Sequence, residues 1–207
     1  MLRIWGRTNS INVQKVLWCA AELGLQYERI DAGLQFGINR DPWYLAMNPN
    51  GLVPTIDDDG FTLWESNSIV RYFAARYGGA AGIYPQDPRV RADAERWMDW
   101  SLGALNQEMR TIFWQLVRTP TDRRDGPLIE QSRLAVAELW RRLDGVLASR
   151  AYVAGDRFTV GDIPVGTWVY RWYALPIERP ELPNLKAWYE RLTRREGYRA
   201  HVMQPLS

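Results

Sequence analysis

Residues that commonly carry reactive chemistry are scarce in this chain of 207 residues. Cys19 is its single cysteine and His201 its single histidine, so neither an internal disulfide nor a four-ligand Cys/His zinc site can be assembled. A dithiol redox site needs CxxC, and a P-loop needs a lysine after glycine; the sequence has neither. An enzyme built on this chain must therefore use hydroxyls, amides and backbone dipoles, or take its reactive group from a cofactor or co-substrate.

The polar groups that could do such chemistry are concentrated in residues 8–12, just after the apolar run 2–5. Ser10 and Asn12 are both good helix N-cap residues. The apolar residues of 13–20 recur at helical spacing, which predicts a helix that begins at one of these two positions. Residues 27–31 are predicted to form a second strand. This order predicts a strand, a helix and a second strand parallel to the first.

The rest of the chain divides into two parts. Strands are predicted at 54–56 and 61–64 with an Asp-Gly turn between them, followed by a helix from Ser66. Beyond the Gly/Ala/Pro-rich stretch 78–88 only helical periodicity remains, over 89–118, 128–148, 159–175 and 185–196. We expect an α/β domain over residues 1–80 and an all-α domain over 87–207.

Composition adds limits rather than a function. Hydrophobic residues make up 46% and charged residues 24%, and the net charge is +2, all ordinary values for a globular protein. The many arginines are interpreted as helix-surface residues interleaved with acidic ones, not as a nucleic-acid-binding stripe. No apolar run is long enough to span a membrane, and the first residues do not resemble a secretory signal. We therefore expect a cytoplasmic protein.

Four segments carry a family resemblance: SINVQKV (10–16), NPNGLVPTI (48–56), LWESNSIVRYFAARYG (63–78) and FTVGDI (158–163). In this order and spacing they resemble the cytosolic glutathione S-transferase superfamily, in its bacterial form with Ser or Asn at the first helix edge. The resemblance implies a thioredoxin-like N-terminal domain that binds glutathione and an all-α domain that holds an apolar electrophile. It further implies glutathione as co-substrate, no bound cofactor or metal, and a homodimer.

The same resemblance implies which residues bind glutathione. Val53-Pro54 is similar to the family's cis-proline element, so Val53 would bind the cysteinyl part through its main chain. Glu65 and Ser66 are similar to the acidic-Ser pair that binds the γ-glutamyl end. A helix N-terminus suits a carboxylate, and Glu65 can accept a hydrogen bond from the γ-glutamyl ammonium.

Ser10 is the catalytic candidate that the resemblance implies, with Asn12 as the alternative. A donor at the helix edge stabilises the glutathione thiolate, and a free thiol has a pKa of about 8.5. We favour Ser10, but Asn12 can give its amide N–H to the same sulfur. Cys19 lies within the apolar helix, where a buried thiol is expected, so chemistry on an enzyme thiol is disfavoured.

Asp99 resembles a position that reaches the neighbouring glutathione across the dimer in some classes. Some of the tryptophans of the helical domain, with Tyr173, are candidates to line the electrophile pocket. In FTVGDI, Thr159 and Asp162 are expected to form a helix capping box. The favoured activity is glutathione conjugation. A glutathione-dependent disulfide reductase or peroxidase, and a non-catalytic binding protein of the same fold, are the alternatives.

Overall fold

The computed structural model describes residues 1–79 and 81–207. Its first part contains a four-stranded mixed sheet with the strand order β2-β1-β3-β4. Strand β1 pairs in parallel with β2 and antiparallel with β3, which pairs antiparallel with β4. The elements are β1 (Leu2–Trp5), α1 (Ile11–Glu22), β2 (Glu28–Ile30), a 3₁₀ turn (Leu34–Phe36), α2 (Pro42–Met47), β3 (Thr55–Asp58), β4 (Phe61–Trp64) and α3 (Ser66–Tyr77).

Successive side chains of a strand point to opposite faces of the sheet. Apolar side chains pack against both faces of this sheet. Ile4 pairs with Ile56 and both are fully buried in the main core with α1 and α3. The next residue, Trp5, packs instead with Ala32 and Tyr44 on the other face. The predicted parallel unit and the Asp-Gly hairpin are therefore confirmed.

The second part of the described chain is helical. Its elements are α4 (Pro88–Trp100), a π-helical segment (Ser101–Leu105), α5 (Asn106–Phe113), a second π-helical segment (Trp114–Arg118), a 3₁₀ turn (Thr121–Arg123), α6 (Gly126–Leu147), α7 (Asp162–Ala174), α8 (Pro183–Thr193) and α9 (Glu196–His201). The helix predicted over 89–118 is thus continuous from residue 88 to 118, with one π-helical segment inside it and a second at its C-terminal end. Each π segment closes with a bond from a backbone N–H to the carbonyl five residues earlier, as from Thr119 to Trp114 at 2.9 Å. None of the described helices is long and apolar enough to cross a membrane.

Asp162 fixes the start of α7. Its buried carboxylate accepts from the backbone N–H of Thr159 at 2.8 Å, the N–H of Val153 at 3.1 Å and the Trp188 indole at 3.0 Å. The predicted capping box is half formed, since the Thr159 hydroxyl accepts from the N–H of Gly161 at 3.3 Å rather than from that of Asp162. The pKa of Asp162 is raised to about 6, because burial raises it more than these hydrogen bonds lower it.

The two parts share one core. Trp18 of α1 packs edge-on against Tyr198 of α9, with 4.7 Å between ring centroids. At the same junction Arg195 donates two hydrogen bonds to Glu22, at 2.8 and 2.6 Å. This packing holds the C-terminal half of α1 against α9.

Candidate active site

A cavity of about 420 Å³ lies between the N-terminal end of α1 and the helical part. We call it the interdomain cavity. Its sheet side includes Ser10, Asn12 and Val53, and its helical side is formed by Phe113, Trp114, Arg118, Trp168 and Arg171. A side pocket of about 40 Å³ adjoins it and is lined by Asn12, Val53, Pro54, Glu65, Ser66 and four neighbours. The structure therefore brings together six of the seven residues that the sequence singled out.

Ser10 is the N-cap residue of α1 and lines the interdomain cavity. Its carbonyl accepts the first helical hydrogen bond, from the N–H of Gln14 at 2.9 Å. Its hydroxyl makes no capping bond and has no hydrogen-bond partner in the described part of the chain. The N–H groups of the first turn are also free of helical partners. A free hydroxyl and a positive helix end thus face the same space.

Asn12 joins the two pockets. Its side-chain oxygen accepts from the Lys15 ammonium at 3.0 Å and from the Ser66 hydroxyl at 3.3 Å. Because an ammonium group can only donate, the atom facing Lys15 must be the amide oxygen. The NH₂ group of Asn12 therefore points away from Lys15 and remains available as a donor.

Lys15 supports this arrangement from a buried position, with 3% of its surface exposed. Burial and, to a lesser extent, the positive charge of Arg171 lower the pKa of Lys15 to about 8, while the carboxylate of Glu65 acts in the opposite direction. The charge state of Lys15 is therefore coupled to a site carboxylate and to a cavity guanidinium.

The Val53-Pro54 peptide bond is cis, as the resemblance implied. Neither the N–H nor the carbonyl of Val53 has a hydrogen-bond partner among the described residues. The loop before it is held by Asn48, whose amide donates to the Leu52 carbonyl at 2.9 Å and to the Thr55 hydroxyl at 3.0 Å. Asn48 of the NPNG segment therefore fixes the conformation of this loop. The main chain of Val53 remains available to a ligand.

Glu65 and Ser66 lie at the N-terminal end of α3. Glu65 is the N-cap residue and adopts a φ of 71°, a left-handed conformation that is uncommon outside glycine and recurs at ligand sites. Its carboxylate is exposed, whereas Ser66 is buried. A negative group and a hydroxyl at a positive helix end can together bind an amino acid head group.

Two further expectations concern residues outside the cavity. Asp99 lines neither pocket; its side chain is 68% exposed and accepts from Arg71 at 2.6 Å. Cys19 is fully buried, and burial together with Glu22 raises the pKa of its thiol far above the usual range. Of the expected aromatic lining, Trp114 and Trp168 are in the cavity, but Tyr173 instead stacks on Tyr189 at 4.7 Å.

Sequence reasoning missed the arginines of the interdomain cavity. Arg7 follows β1, and Arg171 lies within α7 with 5% of its surface exposed. Arg110, Trp114 and Arg118 recur every four residues, a spacing that places them on one helical face. This spacing could have indicated a shared cationic and aromatic face. It was overlooked because the arginines were interpreted as surface residues.

Comparison with known proteins agrees with this geometry. The family model of the glutathione S-transferase N-terminal domain matches residues 9–76, and that of the C-terminal domain matches residues 105–196. The thioredoxin-like sheet, the helical part and the cavity between them define a glutathione transferase, and the chain belongs to the glutathione S-transferase superfamily.

Similar proteins include Glutathione S-transferase GstB of Escherichia coli K12, 46% identical over the full length of both chains. A solved theta class glutathione S-transferase from Xanthomonas axonopodis pv. citri, with glutathione bound, is 50% identical with a TM-score of 0.95. The superposition covers 100% of this chain and 99% of the Xanthomonas chain. A delta-class glutathione transferase of Nilaparvata lugens is 26% identical with a TM-score of 0.87, over 97% of this chain and 92% of its own. Glutathione is thus the co-substrate of this chain.

Proposed function

We propose that Ser10 stabilises the glutathione thiolate, with Asn12 as a second donor. The observation that carries this proposal is the unpartnered Ser10 hydroxyl at the N-terminal end of α1, facing the interdomain cavity. The free NH₂ group of Asn12 lies two residues further on. Hydrogen-bond donors that are already oriented towards a developing or persistent negative charge are an effective means of catalysis.

Glutathione binding then follows the polar groups of both pockets. The γ-glutamyl end occupies the side pocket, where its carboxylate meets Ser66 and the helix end and its ammonium meets Glu65. The cysteinyl part pairs with the free backbone of Val53. The glycyl carboxylate lies towards Arg40, whose guanidinium is close to Gly51 in the cavity wall. A Cβ at Gly51 would meet the backbone oxygen of Asn39 at 2.9 Å, and the φ of Gly51 is +59°, so this position requires glycine.

The reaction is conjugation. The thiolate sulfur attacks the electrophilic carbon, a C–S bond forms, and the leaving group departs with its electron pair. Residues 1–80 bind glutathione, and residues 87–207 hold the electrophile against Phe113, Trp114 and Trp168, which supply an aromatic wall. Rate acceleration comes from positioning and thiolate stabilisation, without a covalent enzyme intermediate.

We also propose a homodimer in the cytoplasm, in which Asp99 faces the partner. Asp99 is exposed on α4 and is held by Arg71 of α3, so it is available to a second subunit. The cytoplasm is the compartment in which thiols are kept reduced, as a thiol co-substrate requires. Sedimentation of the purified protein tests the dimer, and Asp99→Asn tests the contact through the affinity for glutathione.

The experiment that tests the activity is glutathione conjugation of chlorodinitrobenzene by the wild type and by Ser10→Ala, followed by the release of chloride and the product absorbance. We expect wild-type turnover and a loss of about ten- to a hundredfold in the variant, the equivalent of one hydrogen bond to a charged group. Binding of glutathione, measured by calorimetry, should change by no more than a few fold. Equal turnover by the two proteins would overturn the role of Ser10.

A further inference from the structure

Among the described residues, the side chains that line the interdomain cavity include several cations and no carboxylate. Five of its lining residues are arginines, and no lining residue is Asp or Glu. None of the five forms an ion pair with an acidic side chain in the described part of the chain, whereas Arg71, Arg133 and Arg195 elsewhere do. The five are Arg7, Arg40, Arg110, Arg118 and Arg171. A cluster of this kind raises the local concentration of anions.

Arg171 is the fixed part of this cluster. Its guanidinium packs over the ring of Phe113 at 4.0 Å and near that of Trp168 at 5.5 Å, and it donates to the Asn9 carbonyl at 3.3 Å. Stacking on two rings limits its motion, so its remaining donors have a defined direction. The Nε atom of Arg7 is buried with no hydrogen-bond partner.

The guanidinium groups of the cluster lower one another's pKa. Burial lowers the pKa of Arg171, and the charges of Arg118 and Arg7 lower it further. Burial and Arg118 lower the pKa of Arg7, and burial and Arg110 lower that of Arg118. Guanidinium groups remain protonated nonetheless, so the free energy of this repulsion is retained in the folded protein. A bound anion would relieve it.

The helical side also provides a place for an aromatic ring. Trp114 is 41% exposed and lies between two guanidinium groups, with Arg118 4.7 Å and Arg110 5.8 Å from its ring centroid. Arg118 donates to the backbone oxygen of Ser207 at 3.2 Å, and its guanidinium makes no other hydrogen bond to the residues that the structure describes. An aromatic compound with an anionic substituent would stack on Trp114 and reach Arg118 or Arg171 with its charge.

Glutathione alone does not account for this arrangement. In the proposed placement its γ-glutamyl carboxylate is bound by Ser66 and its glycyl carboxylate by Arg40. Arg110, Arg118 and Arg171 belong to the helical side, where the electrophile binds. These three cations therefore face the second substrate.

We propose that the electrophile is an anionic aromatic compound: a ring that carries a carboxylate or sulfonate and a displaceable group. This inference rests on the proposed function. The thiolate sulfur forms a bond to the ring carbon, the carbon–halogen bond breaks, and halide leaves with the electron pair. The charged substituent takes no part in the step and is bound by the arginines of the helical side.

The test compares a chloronitrobenzoate with the matched chloronitrobenzamide, in which the chlorine is ortho to the nitro group and para to the carboxylate or amide. Each kcat/KM is divided by the uncatalysed rate with glutathione, because the two rings differ in reactivity. We expect this corrected value to be about tenfold higher for the carboxylate, the effect of one charge-assisted hydrogen bond. Arg118→Gln and, separately, Arg110→Gln should reduce the preference. The control Arg123→Gln removes an exposed arginine that does not line the cavity and should keep it.

A binding measurement separates this inference from the activity. Nitrobenzoate and nitrobenzamide, which lack the chlorine, are titrated by calorimetry into the protein saturated with glutathione. Tighter binding of nitrobenzoate, weakened in Arg118→Gln, supports the anionic subsite even if conjugation fails. Equal binding of the two compounds, together with equal corrected rates, overturns it while conjugation of chlorodinitrobenzene continues to support the proposed function.

Discussion

The side-chain oxygen of Asn12 accepts a hydrogen bond from the hydroxyl of Ser66 at 3.3 Å, across 54 positions of the sequence. This contact joins the N-terminal ends of α1 and α3, so the group expected to bind the γ-glutamyl end and the group expected to meet the thiolate are held together. The ammonium group of Lys15 donates a hydrogen bond to the same Asn12 oxygen. The orientation of the Asn12 amide therefore depends on both neighbours.

Ser10→Ala should change the pH dependence of catalysis as well as its rate. Removing one donor to the thiolate costs about 1.5–3 kcal/mol, which corresponds to about one to two pKa units. The pH profile of kcat/KM for chlorodinitrobenzene should move to higher pH by that amount. Asn12→Ala serves as the comparison. If its profile moves and that of Ser10→Ala does not, Asn12 is the main donor.

Ser66→Ala and Glu65→Gln should weaken glutathione binding rather than the chemical step. Each loses a contact to the γ-glutamyl group, and we expect the dissociation constant to rise about tenfold. Ser68→Ala is the matched control, because Ser68 is an exposed serine on the same helix that lines neither pocket. Calorimetric titration distinguishes them. Unchanged affinity in both site variants would move the γ-glutamyl end elsewhere.

Lys15 should make stability depend on pH in an unusual direction. Its pKa is lowered from 10.5 to about 8 by burial, so between these values the unfolded chain binds more protons than the folded one. Stability from this group therefore rises as pH increases through the window, by roughly 3 kcal/mol at most. Arg171 adds to the lowering of this pKa and Glu65 opposes it.

The measurement is urea denaturation at several pH values across that window for the wild type and for Lys15→Met. The variant should lack the rise, so its stability gain over the wild type is largest at the low-pH end. Lys186→Met removes the other lysine, which is exposed, and should follow the wild-type curve. Parallel curves for wild type and Lys15→Met would show that the buried ammonium is not destabilised.

Asp162→Asn should destabilise the protein although it removes a buried charge. Each carboxylate oxygen of Asp162 accepts two hydrogen bonds. In the asparagine variant an NH₂ group replaces one of these oxygens, so two donors lose their acceptor and face another donor. The expected cost is about 2–4 kcal/mol, or roughly 5–15 °C in Tm. Asp156→Asn, at an exposed position, is the control for calorimetric melting. An unchanged Tm in Asp162→Asn would contradict this account of the α7 start.

Much of the fold was predictable because local signals agree with the tertiary structure. The apolar run 2–5 located β1, the Asp-Gly turn located the β3–β4 hairpin, and the apolar spacing of 13–20 located α1. The π-helical segments at 101–105 and 114–118 were not predicted, because Gly103 within the first and Pro120 after the second do not distinguish a π-helical turn from an α-helical one. The split near Arg194 between α8 and α9 likewise carries no local breaker.

The site was predictable only in part, for a physical reason. Ser10, Val53 and Ser66 lie in segments with their own local patterns, so their motifs identify them. Arg7 and Arg171 are 164 positions apart and meet only through the packing of α7 against α1. No local sequence pattern indicates that two such distant residues line the same cavity. The division at residues 80–87 stays a prediction, and Ala80 lies outside the described residues.

The most direct test of the central claim is titration of the thiol of bound glutathione. The protein is saturated with glutathione, and the ultraviolet absorbance of the thiolate is followed across pH, with S-methylglutathione as the blank. Stabilisation at the start of α1 predicts a pKa at least one unit below the free value of about 8.5, and loss of that shift in Ser10→Ala. A bound thiol that titrates like free glutathione would contradict the account.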